Sequence, residues 1–154
     1  MVMNHNMTDI KEVFIMMLIM FIAGLLSSMN NWVDKISDIQ FHLNNIYMSL
    51  LMCGWSLIMM GIYYIHFPIL CCGLISILII YYCIRKQLFI NESQYLKGMI
   101  PHHSMAIFMS NRLLEKNKNI KILPKINKLA TNIINIQKYE IKFMKAVLDY
   151  TNNK

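Results

Sequence analysis

The sequence predicts an all-α protein in two parts: three transmembrane helices, then a helical hairpin amounting to half of a four-helix bundle. Three observations predict it. Of the 154 residues, 56% are hydrophobic and only 15% charged, with a mean hydropathy of +0.42, whereas soluble domains carry about 25% charge. Charge is also segregated: residues 1–84 hold two basic and four acidic side chains, a net of −2, and residues 85–154 hold thirteen and four, a net of +9. Finally, the apolar pattern changes after Lys86 from uninterrupted runs to helical periodicity. A soluble monomer is excluded by this composition.

The first part, residues 1–86, is read as the membrane region. Residues 13–33 carry no charge, and 21 residues at about 1.5 Å each cover roughly the 30 Å of a bilayer core. A cleaved signal peptide needs a basic leader and a small-residue cleavage site. Asp9, Lys11 and Glu12 give a net of −1 instead, and Ser27-Ser28-Met29 is a poor site. Residues 43–84 are a further 42 uncharged positions broken only by His66-Phe67-Pro68. Because proline disfavours helix at the residue before it, spans are expected at 46–65 and 67–84, joined by a hairpin there. The third is short, so Tyr81, Tyr82 and Arg85 should lie at the interface.

Cys53, Cys71, Cys72 and Cys83 all fall within these spans, where free cysteine behaves as a small apolar residue, so no disulfide framework is expected. The spans contain no Asp, Glu, Lys or Arg, the residues that mark ion routes. The first part therefore reads as an anchor in the lipid bilayer, and the protein as integral and multi-pass. With Arg85 and Lys86 abutting the third span, the positive-inside rule places the C-terminal domain on the cytoplasmic side.

The second part, residues 87–154, begins with Asn91 and Gln94 in the form of a capping box. Met99, His102, Ala106, Met109 and Leu113 follow at spacings of three and four, one face of a helix. Pro101 predicts a kink or restart there, with His102 and His103 in the first turn of the second piece. A lysine-rich connection over residues 115–121 leads to a second helix from Pro124 to about residue 148. Its expected apolar face is Ile126, Leu129, Ile133, Ile141, Met144 and Leu148, with Lys138, Lys142 and Lys145 on the wet face. Gln137 and Glu140 share the angular position of Ile133 and Met144. A carboxylate on such a face needs a partner, a proton or a cation, and the histidines of the facing helix are the nearest candidates.

Residues 92–150 resemble the DUF305 family. The resemblance rests on Glu92, Tyr95, Met99-Ile100-Pro101-His102-His103, Ala106-Ile107 and Met109, then Gln137, Glu140-Ile141 and Met144. Glu92 and Tyr95 stand where the family usually has Asp and Phe. Tyr47-Met48 and Leu51-Met52 are similar to the stretch preceding the domain in the membrane-anchored branch, while Cys53-Gly54-Trp55 departs from it. The resemblance implies a ferritin-like helical fold and metal binding, with copper handling the role known for some members.

The donor chemistry agrees with copper. Thioether sulfur suits Cu(I) and imidazole is borderline, so a mixed set selects copper over Mg or Ca. The candidate metal residues are Met99, His102, His103, Met109, Glu140 and Met144, with Gln137 as a supporting group. A ferritin-like di-iron centre needs several Glu and Glu-x-x-His pairs, which this region lacks, and zinc prefers three or four Cys, His or carboxylate ligands. The competing reading of the same residues is packing: methionines at helical spacing fill cores, and two histidines after a proline can cap a helix or bond Glu140 without metal.

The leading function is thus an integral membrane protein with a Met/His copper-binding domain. The alternative is a membrane-anchored structural or interaction module whose basic helices self-associate or bind a polyanion, with no metal. The lysines lie on a wet face with little aromatic interleaving, so nucleic acid is not the expected partner. Two helices cannot bury both apolar stripes alone, which predicts a homo-oligomer through the C-terminal helices. Without a nucleophile–base pair or phosphate loop, no enzymatic activity is expected.

Overall fold

A computed structural model describes residues 10–116 and 123–152. They form five α-helices: α1 (Ile10–Leu26), α2 (Leu43–Tyr63), α3 (Phe67–Lys86), α4 (Glu92–Lys116) and α5 (Pro124–Asn152), with 3₁₀ turns at Met29–Trp32 and Ile36–Asp38. Every regular element among the described residues is helical, three apolar helices followed by a C-terminal helical region. The described residues divide into two compact units: one takes Leu43–Phe89 and the described part of Met1–Ser28, the other Met29–His42 and the described part of Ile90–Lys154.

Among the described residues, three segments are long and apolar enough to cross a membrane: Ile10–Trp32, Leu43–Tyr63 and Phe67–Lys86. The regular helix of the first stops at Leu26, short of the expected residue 33, and a 3₁₀ turn takes over. There the side chain of Asn30 donates to the Gln40 carbonyl (2.9 Å) and accepts from its N–H (3.2 Å), engaging side-chain and backbone groups that a helix would leave apart.

The chain turns at His66, between an α2 that ends at Tyr63 and not at the expected residue 65 and an α3 that runs on to Lys86, past the expected residue 84. His66 is the N-cap of α3, accepting from the Ile69 N–H at 3.4 Å, with proline in the first turn. Helix α2 ends at Tyr63 because Ile65 adopts φ 52°, and the His66 N–H returns to the Gly61 carbonyl at 2.8 Å. This left-handed terminator normally falls to glycine. Glycines also let α2 and α3 approach: a Cβ on Gly61 would lie 2.6 Å from the Leu70 backbone nitrogen, and one on Gly73 2.8 Å from that of Ile58.

In the second unit, α4 opens at Asn91, whose side chain accepts the Gln94 N–H at 2.9 Å. It then runs unbroken through Pro101, correcting the expected restart. Proline costs the helix one hydrogen bond, and here both Ile100 and Pro101 are fully buried, so packing holds the turn. The core joins Ile100 and Ile107 to Ile134, Ile141, Met144 and Leu148, with Leu96, Met99 and Leu114 against it. The buried face of α4 is therefore turned by about one residue from the expected stripe, and His102, Met109 and Leu113 are exposed. On α5, Ala130 and Ile134 take the places expected of Leu129 and Ile133, while Ile126 and Leu129 face solvent. Of the lysine-rich connection, residues 117–121 lie outside the described residues.

The segment Met29–His42 completes this unit. Ser104, fully buried on α4, donates to Asp38 at 2.6 Å and accepts the Asp34 N–H at 2.9 Å. Asn111 donates to the Asp34 carboxylate at 3.0 Å. Lys145, assigned by sequence to the wet face, instead pairs with Asp38 at 2.6 Å and donates to the Ser37 carbonyl at 3.0 Å.

Candidate functional site

His103 is on α4 and Glu140 on α5, and the hairpin brings His103 Nε2 to 2.9 Å from Glu140 Oε2. The other ring nitrogen, Nδ1, lies 2.8 Å from the carbonyl oxygen of Met99, one turn back. A carbonyl only accepts, so Nδ1 carries the hydrogen of this bond. In a neutral imidazole that makes Nε2 an acceptor, yet it faces a carboxylate oxygen. Two acceptors at this distance need a proton or a cation between them.

The other expected site residues divide around this pair. Met144 is buried in the core and Met99 packs against it. Gln137, one turn before Glu140, has its side-chain oxygen buried with no hydrogen-bond partner. His102 is exposed, its ring 6.0 Å from that of His103. Met109 is 57% exposed and lines a cavity with Trp32, Phe108 and Arg112, away from the pair. Among the described residues, no three His, Cys, Asp or Glu side chains gather to hold an ion, so any cation here would depend on the softer donors.

Sequence reasoning missed two features of this unit. One is the Asp34–Asp38–Ser104–Lys145 network, whose acidic members lie far upstream of the hairpin. The other is His42, which is buried against Gly98 with neither ring nitrogen bonded; burial alone pushes its pKa down.

A family model described as a domain of unknown function (DUF305) matches residues 91–154. An uncharacterized protein of Acanthamoeba polyphaga mimivirus is 45% identical over 152 residues, covering 96% of this chain and 94% of that protein. The chain belongs to the DUF305 family. No solved structure matches it. Similarity to the mimivirus protein thus runs over the apolar helices as well as the hairpin. The DUF305 match and the three apolar helices together fit a membrane-anchored protein.

In this DUF305 chain the Met-Ile-Pro-His-His motif lies in mid-helix, and its positions do different work. Ile100 and Pro101 fill the core, His102 faces outward, and His103 reaches across to α5. Met99 contributes twice, its carbonyl orienting His103 and its thioether lying beside the core that holds Met144.

Proposed function

We propose that this protein is a membrane-anchored copper-binding protein whose α4–α5 hairpin holds Cu(I) at His103. The observation that carries the reading is the orientation of His103, whose Nδ1 is committed to Met99 and whose Nε2 is turned toward Glu140. Fixing one imidazole nitrogen with a backbone carbonyl is how metal-ligating histidines are commonly oriented. Met99 and Met144 would supply thioether sulfur, the donor that selects Cu(I). Glu140 would place a negative charge beside the cation, and the unpartnered oxygen of Gln137 would gain a partner. His102 and Met109, on the outward side of α4, fall outside this set.

X-ray absorption at the copper edge of the loaded full-length chain tests the reading. The expected spectrum has both sulfur and nitrogen or oxygen neighbours. A spectrum without sulfur would remove Met99 and Met144 from the site.

The alternative, an interaction module that meets a polyanion, is favoured by one feature. Lys35, Lys138, Lys142 and Lys145 line a cavity of about 300 Å³ together with Asp34, Asp38, Ile107 and Ile141, so cations outnumber carboxylates four to two around it. Binding to anionic vesicles that weakens steeply with salt would support it. For either reading, three crossings put the 29–42 link and the C-terminal helices on one side of the bilayer, and Arg85 with Lys86 argues for the cytoplasmic side. Protease access to the hairpin in sealed vesicles of known orientation checks this.

A further inference from the structure

Helix α5 carries two apolar stripes. The first, Ala130, Ile134, Ile141, Met144 and Leu148, is buried, and α4 is the helix it packs against. The second is Leu129, Ile136 and Phe143, each seven residues after the last, with Tyr139 three positions after Ile136. These four are 54%, 56%, 61% and 72% exposed. At about 100° per residue the two stripes point roughly 140° apart, so a single partner helix cannot cover both.

We infer that the second stripe is a dimerisation seam, closed by the same stripe of a second copy of this chain. Its spacing is the main reason. A repeat of seven keeps one seam facing a partner helix along its length, the pattern of helices that pack together as coiled coils. The seam holds no charge, and Asn132 lies one heptad before Tyr139, where a polar residue fixes register at some cost in stability. Its exposed side chains offer roughly 500 Å² per copy, or about 1,000 Å² for the pair, the low end for a specific interface. Confinement of both copies to one bilayer raises their effective concentration and offsets that modest area. Two hairpins joined in this way make four helices. The inference stands without the metal reading.

The mass of the full-length chain in detergent tests it. The native chain is expected at twice the single-chain mass, and Ile136→Lys with Phe143→Lys at the single-chain mass with unchanged helicity by circular dichroism. A native monomer, or a folded variant that remains a dimer, overturns the inference. Should the lysine variant lose helicity, a benzophenone amino acid placed at position 143 of the otherwise native chain decides in a bilayer nanodisc. Cross-links to a second copy support the seam; cross-links to lipid alone, or none, overturn it.

Discussion

Nε2 of His103 stands 2.9 Å from Oε2 of Glu140, and the same ring is anchored through Nδ1 to the Met99 carbonyl. One imidazole therefore ties a turn of α4 to the face of α5. With the Glu140 side chain 44% exposed, the pair is screened by solvent and contributes little to stability. Glu140→Gln should accordingly shift unfolding of the metal-free chain by no more than about 1 kcal/mol. A denaturant titration in detergent checks this, and a loss of several kcal/mol would make the pair a structural element and not a site.

Asp38 differs in kind. Its side chain is only 5% exposed and takes both Lys145 and the buried Ser104. Removing one partner of such a pair leaves the other uncompensated, so Asp38→Ala should destabilise the hairpin unit by about 3 kcal/mol. Lys145→Met should cost a similar amount. In a double-mutant cycle the two losses should fall well short of adding; simple additivity would mean that Asp38 and Lys145 act independently.

These two pairs mark what was legible in the sequence. The three apolar segments and the turn at His66-Phe67-Pro68 follow from hydropathy and proline alone. So does the approach of a histidine to Glu140, which shares the angular position of Met144 on the face turned to α4, although the carboxylate is 44% exposed and not inward as expected. The buried face of α4 was misplaced by one residue because two stripes compete there. Met99, His102, Ala106, Met109 and Leu113 form one, and Leu96, Ile100, Ile107 and Leu114 the other. What decides between them is Ser104 and Asn111, which receive Asp38 and Asp34 from a segment some seventy residues upstream. Local periodicity carries no trace of that contact. Pro101 misled for a related reason, since burial offsets the hydrogen bond it removes.

Ile65 occupies the left-handed region, at φ 52°, as the terminator of α2. A β-branched residue there costs about 1–2 kcal/mol that glycine avoids. Ile65→Gly should therefore raise the stability of the full chain in detergent, while Gly61→Ala, which sets a methyl against the Leu70 backbone, should lower it by about 1–3 kcal/mol, both read from denaturant unfolding. A Gly61→Ala chain as stable as the native one would show that α2 and α3 do not meet as described.

His42 makes stability depend on pH. Burial lowers its pKa in the folded state below the ordinary 6.5, so the unfolded chain takes up a proton more readily. Its contribution is fully present above about pH 6.5 and is lost as pH falls through that value toward the lowered folded pKa. Unfolding midpoints measured from pH 8 to pH 5 should drop on the acid side, and His42→Phe should flatten that drop. An unchanged slope in the variant would assign the acid sensitivity to other groups.

The central claim is tested most directly by competition for Cu(I) between the full-length chain in detergent and a chromophoric chelator. The native chain and His102→Ala should both bind one Cu(I), while His103→Ala should bind at least about tenfold more weakly, a loss of about 1.4 kcal/mol. A folded native chain that leaves all the copper with the chelator, or a His103→Ala chain that binds as tightly as the native one, would contradict the account.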